Sequence, residues 1–89
     1  MTAAWTLEYT QTSIKWLKKA DPQIARRVRN ALRAVVELDD PRQRGKALTG
    51  PLAGLWRYRV GDYRIVCDLG DERLVVLVIE VEHRSSVYD

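Results

Sequence analysis

The segment Trp56-Arg57-Tyr58-Arg59-Val60-Gly61-Asp62-Tyr63-Arg64-Ile65-Val66 decides how the chain is read. Aromatic or aliphatic residues alternate with arginines on both sides of a Gly-Asp pair. That is the pattern of two half-buried strands joined by a two-residue primed turn, in which glycine supplies a positive φ. With Gly61 and Asp62 in the turn, Val60 faces Tyr63, Arg59 faces Arg64 and Tyr58 faces Ile65. Side chains alternate along each strand, so Trp56, Tyr58, Val60, Tyr63 and Ile65 share one face, which must be the core face. Arg57, Arg59 and Arg64 share the other. Hairpins avoid facing like charges, so three clustered guanidiniums read either as an anion-binding surface or as a solvated face relieved by Asp68, Glu80 or Glu82.

Working outward, residues 63–69 form the returning strand and Gly70-Asp71 the next turn. The apolar, β-branched run over residues 74–81 suits a strand at a sheet's centre. The tail over residues 83–89 is polar. Upstream, residues 42–54 carry Gly45, Gly50, Pro51 and Gly54 and read as a loop, with Leu48 and Leu52 as its anchors to the core. Before it, Ile24, Val28, Ala31, Leu32 and Val35 fall on one helical stripe, while Arg26, Arg27, Arg29 and Arg33 lie largely outside it. This helix starts at Asp21-Pro22, a capping side chain followed by a residue suited to the first helical position, and ends near Leu38. A shorter amphipathic helix over residues 11–19 turns Ile14 and Leu17 inward. Residues 5–9 alternate as a first strand. The order is β-α-α-β-β-β: one α+β domain over residues 1–89, with two N-terminal helices packed on a curved antiparallel sheet.

Composition narrows the function classes. A chain of 89 residues with 46% hydrophobic residues can bury one small core. Its net charge is only +3, yet Arg42, Arg44, Lys46, Arg57, Arg59 and Arg64 lie in one segment against the single acid Asp62. Eleven of the fifteen basic residues are arginine, whose planar fork suits phosphate better than solubility alone requires. RNA is the anionic partner this favours. Residues 74–79 are the longest apolar run, too short to cross a bilayer, and the first eight residues lack the features of a secretory leader. Cys67 is the only cysteine, so no intrachain disulfide can form, which fits a cytoplasmic location; its place in a strand makes it a packing residue. One histidine and one cysteine give no metal-ligand cluster, and no metal or cofactor is expected.

The stretch Gly45-Lys46-Ala47-Leu48-Thr49-Gly50, continued by Leu52-Ala53-Gly54-Leu55 and the hairpin from Trp56 to Val66, resembles the central block of the RelE/ParE toxin superfamily. The end, Glu82-His83-Arg84-Ser85-Ser86-Val87-Tyr88, is similar to that superfamily's C-terminal motif of a basic pair followed by Val-Tyr. The resemblance covers the whole chain in element order. It implies a RelE-like, microbial-ribonuclease-like fold and, for the RelE-like branch, a type II toxin: an endoribonuclease that cuts mRNA in the ribosomal A site. The 2′-hydroxyl attacks the adjacent phosphate, which requires a base, cations for the phosphorane charge and an acid for the leaving oxygen.

By resemblance, Arg57 and Arg59 take the paired basic positions that RelE itself often fills with lysine. Arg64 takes that of the phosphate-contacting arginine, Arg84 that of the arginine stabilising transition-state charge, and Tyr88 that of the tyrosine that stacks on or orients the base. Arg42, Arg44 and Lys46 are candidate RNA-binding residues. Arginine stays protonated in protein sites, so neither Arg57 nor Arg59 can serve as a general base. Imidazole is the side chain suited to proton transfer near neutrality, and His83 has two readings, a proton-transfer group or a strand-end histidine bonded to backbone. Glu80 and Glu82 are other possible bases or structural partners of the arginines, and the base is unassigned.

The partners implied are the ribosome with its mRNA and a cognate antitoxin, in a toxin–antitoxin hetero-oligomer; no membrane partner is expected. A basic face on a marginal domain should be covered by an acidic, partly disordered antitoxin segment that folds on contact. Two alternatives keep the fold without the chemistry: a ParE-like inhibitor of DNA gyrase acting by protein contact, and a catalytically inactive toxin homologue.

Overall fold

The hairpin forms in the expected register. In a computed structural model that describes residues 4–86, strand β3 (Trp56–Val60) pairs antiparallel with β4 (Tyr63–Gly70), setting Val60 against Tyr63, Arg59 against Arg64 and Tyr58 against Ile65. Gly61 has φ +56, as a primed turn requires at its first central position. Strand β5 (Val75–His83) follows antiparallel to β4.

Two features go beyond the expected antiparallel sheet. A two-residue strand, β2 (Lys46–Ala47), forms within the segment read as loop and pairs with β3. Gly45 makes this close approach possible: at φ +76, a Cβ there would collide with the Arg57 carbonyl. Two residues carry no periodicity, so β2 has no sequence signal. Strand β1 (Thr6–Tyr9) lies parallel to β5, which makes the sheet mixed, in the order β1-β5-β4-β3-β2. Parallel neighbours need a long connection between them; here the helices and the whole β2–β4 segment intervene.

Helices α1 (Gln11–Lys19) and α2 (Pro22–Val36) cover one face of the sheet. α2 buries Ala25, Val28, Leu32 and Val35 against Tyr58, Ile65, Cys67, Val76, Val78 and Val81. Asp21 caps it, accepting from the Gln23 N–H at 2.8 Å, and Pro22 opens it. α1 departs from expectation. Its buried residues are Ser13 and Leu17, whereas Ile14 is 36% exposed. The cap explains this roll. Thr10 Oγ1 accepts from the Ser13 N–H at 3.2 Å and donates to the Ile79 carbonyl at 2.6 Å, while Ser13 Oγ donates to the Thr10 carbonyl at 2.9 Å. The helix start is thereby bonded to β5, which brings Ser13 inward.

Ile79 is the extra residue of a β-bulge: Val66 pairs with Glu80 and Cys67 with Val78, so Ile79 has no partner on β4. A bulge reverses side-chain parity along a strand. Val76 and Val78 are buried before it and Val81 after it. Without the bulge, strict alternation from Val76 and Val78 would aim Glu80 and Glu82 into the core. With it they point away from the helices. Cys67 is fully buried, and burial pushes its thiol up to about 12, so it packs as a small hydrophobe. Leu48 and Leu52 are half-buried outside the core cluster. Pro41 anchors that segment instead, buried and accepting from the Tyr58 hydroxyl at 2.8 Å.

Candidate nucleic-acid interface

The sheet face away from the helices carries two rows of residues in register. The first runs Arg59–Arg64–Glu82 across β3, β4 and β5, and the second Lys46–Arg57–Val66–Glu80 across β2 to β5. Neighbours within a row stand about 5 Å apart at Cβ, and the rows are separated by about 7 Å along the strands. Each row therefore starts in cations and ends in a carboxylate. Val66 in the second row is 1% exposed, giving the charged face an apolar floor. Arg59 is exposed and Arg57 half-buried. Arg64 Nη2 donates to Glu82 Oε2 at 3.0 Å, with the two side chains 13% and 22% exposed.

Arg84 joins this end of the sheet through a different device. β5 stops at His83, and residues Arg84–Ser86 form a 3-10 turn. The Arg84 N–H donates to the Asp62 carbonyl at 2.7 Å, tying the turn to the β3–β4 hairpin. Its guanidinium lies 3.5 Å from Asp62 Oδ1 and is 76% exposed. Arg57, Arg59, Arg64 and Arg84 thus gather at one end of the sheet, with Lys46 at the margin.

The other candidates are placed elsewhere. Arg42 makes a bidentate pair with Asp71 at 2.9 and 2.8 Å, a contact that raises the arginine's pKa and lowers the carboxylate's. Asp71 follows the end of β4, about 20 Å along the strand from Arg64, so Arg42 is not gathered with the others. Arg44 is exposed, and its carbonyl accepts from Trp56 Nε1 at 2.7 Å. His83 pairs with Tyr63 and packs edge-on to it at 5.1 Å; Tyr63 packs likewise on Trp16 of α1 at 5.4 Å. Its Nδ1 accepts from the Ser85 N–H at 3.1 Å. The ring thus bonds to backbone at the strand end and lies on the helix side of the sheet, because the bulge sets its parity with Val81 and opposite Glu82. Tyr88 lies outside the described residues. Trp56, Tyr58 and Tyr63 belong to or pack on the core, as alternation demands.

Of two further features, the first is read in the sequence as a partner of the arginines or a possible base, without the bulge that places it, and the second escaped the sequence. Glu80 sits beside Glu82 on the arginine face, and a hydrogen bond between the two carboxyl groups, together with partial burial and the neighbouring charge, holds its pKa above the ordinary value; Arg64 offsets part of this. Only the bulge brings Glu80 there, and a bulge has no periodic signature. The second is an open groove of about 500 Å³ between α1 and α2, rimmed by Lys18, Arg26, Arg29 and Arg33. The spacing of the last three along one side of α2 is the signal that could have found it. Among the described residues, no three of His, Cys, Asp and Glu stand close enough to hold a metal ion, and no helix is long and apolar enough to cross a membrane.

A two-helix layer on a five-stranded mixed sheet, with cations at one end of the open face, defines the class of small α+β toxins from type II toxin–antitoxin systems. Residues 7–88 match the family described as ParE toxin of the type II toxin–antitoxin system parDE, and the chain belongs to that family, within the RelE/ParE superfamily. It is 33% identical over 90 residues to Toxin RelG of Mycobacterium tuberculosis, covering 94% of this chain and 95% of that protein. Its fold matches the toxin–antitoxin complex RelBE2 of the same organism with TM-score 0.71 and 30% identity, covering 92% of this chain and 100% of the other. A mutant of Escherichia coli toxin RelE in the free state matches with TM-score 0.76 and 25% identity, over 94% of this chain and 87% of that one.

Proposed function

We propose that this toxin is a ribosome-dependent endoribonuclease that cuts mRNA in the A site and is neutralised by a cognate antitoxin. The observation that carries this reading is that Arg57, Arg59 and Arg64 share the sheet face the helices leave open, with Arg84 tied to the same end through the β3–β4 hairpin. Fixed cations aimed at one region stabilise charge as it develops on a pentacovalent phosphate, without reorganisation during the reaction. Arg59 and Arg84, the exposed pair, receive the phosphate. Arg64, held by Glu82, supplies a pre-oriented positive field. Lys46 and Arg44 extend the contact along the mRNA backbone, and Tyr88 stacks on the base. The antitoxin is supported by relatives solved as toxin–antitoxin complexes, and an acidic segment suits the basic rim of the α1–α2 groove.

A gyrase inhibitor acting by protein contact is the second reading, favoured by the family's ParE description. It gives no reason to assemble four arginines with a carboxylate pair. Incubation with translating ribosomes, followed by mapping of mRNA ends, separates the two. Cuts between A-site nucleotides support the nuclease; gyrase-dependent DNA breaks with intact mRNA refute it.

A further inference from the structure

We propose that Glu80 is the general base of the cleavage, taking the proton from the attacking 2′-hydroxyl; this rests on the nuclease reading above. The geometry starts at the Ile79 bulge. Its unpaired residue is anchored by Thr10 Oγ1 on its carbonyl, and it turns Glu80 and Glu82 onto the arginine face while sending His83 to the other. Bulges recur beside active sites because they re-aim a side chain in this way.

Among the described residues of the two rows, the cations are Arg57, Arg59, Arg64 and Lys46 at the margin, and the carboxylates are Glu80 and Glu82. Arginine cannot accept a proton. Glu82 is held by Arg64 at 3.0 Å, which commits it to positioning that cation. Glu80 stands opposite apolar Val66 at the end of the row that begins in Lys46 and Arg57. The groups facing it are Glu82 on its own strand, Arg64 and Asp68 on either side of Val66 on β4, and Arg57 beyond Val66 on β3. On β1 the titratable side chain of the same face is Glu8, opposite Leu77 and 3.5 Å from Arg73, while Tyr9, opposite Val78, packs on the core. The hydrogen bond with Glu82 and partial burial raise the pKa of Glu80, which makes it a stronger base than an ordinary carboxylate.

The step balances without a cofactor. Glu80 takes the 2′-hydroxyl proton, and the oxygen forms a bond to phosphorus. The bond from phosphorus to the 5′ oxygen breaks with its electron pair on that oxygen, which takes a proton from water. The products are a 2′,3′-cyclic phosphate and a 5′-hydroxyl, and Glu80 returns its proton to the hydroxide left behind.

The test is single-turnover cleavage of mRNA bound in the A site of programmed ribosomes, followed against pH for the wild-type chain, Glu80→Gln, Glu80→Asp and Glu82→Gln, with thermal melts of each. Glu80→Gln is expected to cut at least about 10²-fold more slowly at saturation, with half-saturation little changed, and to lose the rise in rate with pH that the wild type shows. Glu80→Asp retains a pH limb displaced to lower pH. A Glu80→Gln variant that cuts at the wild-type rate with the same profile overturns the proposal and leaves the nuclease reading standing. So does loss of the limb in Glu82→Gln alone. If Glu80→Gln does not melt cooperatively, an undisplaced limb in Glu80→Asp overturns it. A wild-type chain that makes no cut overturns both.

Discussion

Replacing Arg64 with alanine tests the charged face at its most buried point. Its guanidinium donates to Glu82 at 3.0 Å with the two side chains 13% and 22% exposed. A hydrogen bond to a charged group contributes about 1.5–3 kcal/mol, and breaking a fully buried pair costs about 3–5 kcal/mol. Residual solvent access puts this one near the lower figures, about 2 kcal/mol. For a domain of this size that corresponds to a fall in Tm of roughly 8–16 °C. The loss comes mainly from Glu82, left beside Glu80 with its cation gone. Thermal melts at pH 7 of the wild type, Arg64→Ala, Glu82→Gln and the double variant isolate the pair, with an expected coupling energy of about 2 kcal/mol. Cleavage by Arg64→Ala falls by at least about tenfold under conditions where the variant remains folded. A Tm within 2–3 °C of the wild type (less than about 1 kcal/mol), with no coupling in the cycle, would refute the account of this pair as a structural and electrostatic unit.

Arg84→Ala should separate activity from stability: its guanidinium is 76% exposed, so cleavage drops by at least about tenfold while the melt is unchanged, and a matching loss of Tm would contradict this. Thr10→Val removes the α1 cap and the bond to the Ile79 carbonyl; an expected loss of about 2–3 kcal/mol is read from urea unfolding, and a loss below about 0.5 kcal/mol would show that the bulge is held by other contacts. Glu80 gives a pH dependence of definite sign. Its folded pKa is raised from 4.5, so above that value the native state keeps a proton the unfolded chain has released, and stability falls as pH rises through the folded pKa. Glu80→Gln removes this slope and is at least as stable as the wild type at pH 7; a steeper decline in the variant, in urea midpoints from pH 4 to 8, would reverse the sign.

What could be read in the sequence follows from where its signals are local. The Gly61-Asp62 turn and the alternation around it fixed the pairing of Arg59 with Arg64 and the burial of Tyr58 and Ile65, because a two-residue loop admits one register. The α2 stripe and the Asp21-Pro22 start were legible for the same reason. Besides the two-residue β2 and the α1–α2 groove, three things were not. The parallel docking of β1 on β5 depends on a contact across nearly the whole chain. The exposure of Ile14 follows from Thr10 bonding to Ile79, a tertiary bond that overrides helical periodicity. Placing Glu80 and His83 on opposite faces depends on one unpaired residue, Ile79, in a run whose apolar composition hides the change of parity. The candidate site was therefore readable on β3 and β4 and ambiguous on β5.

The central expectation is that Arg59, supported by its β3 neighbour Arg57, holds the scissile phosphate together with Arg84. Single-turnover cutting of A-site mRNA by an Arg57→Gln/Arg59→Gln variant, which keeps side-chain length and polarity while removing both charges, addresses it directly. A loss of at least about 10²-fold, with the variant still melting cooperatively, is the predicted result. Cleavage at the wild-type rate and at the same bonds would contradict it.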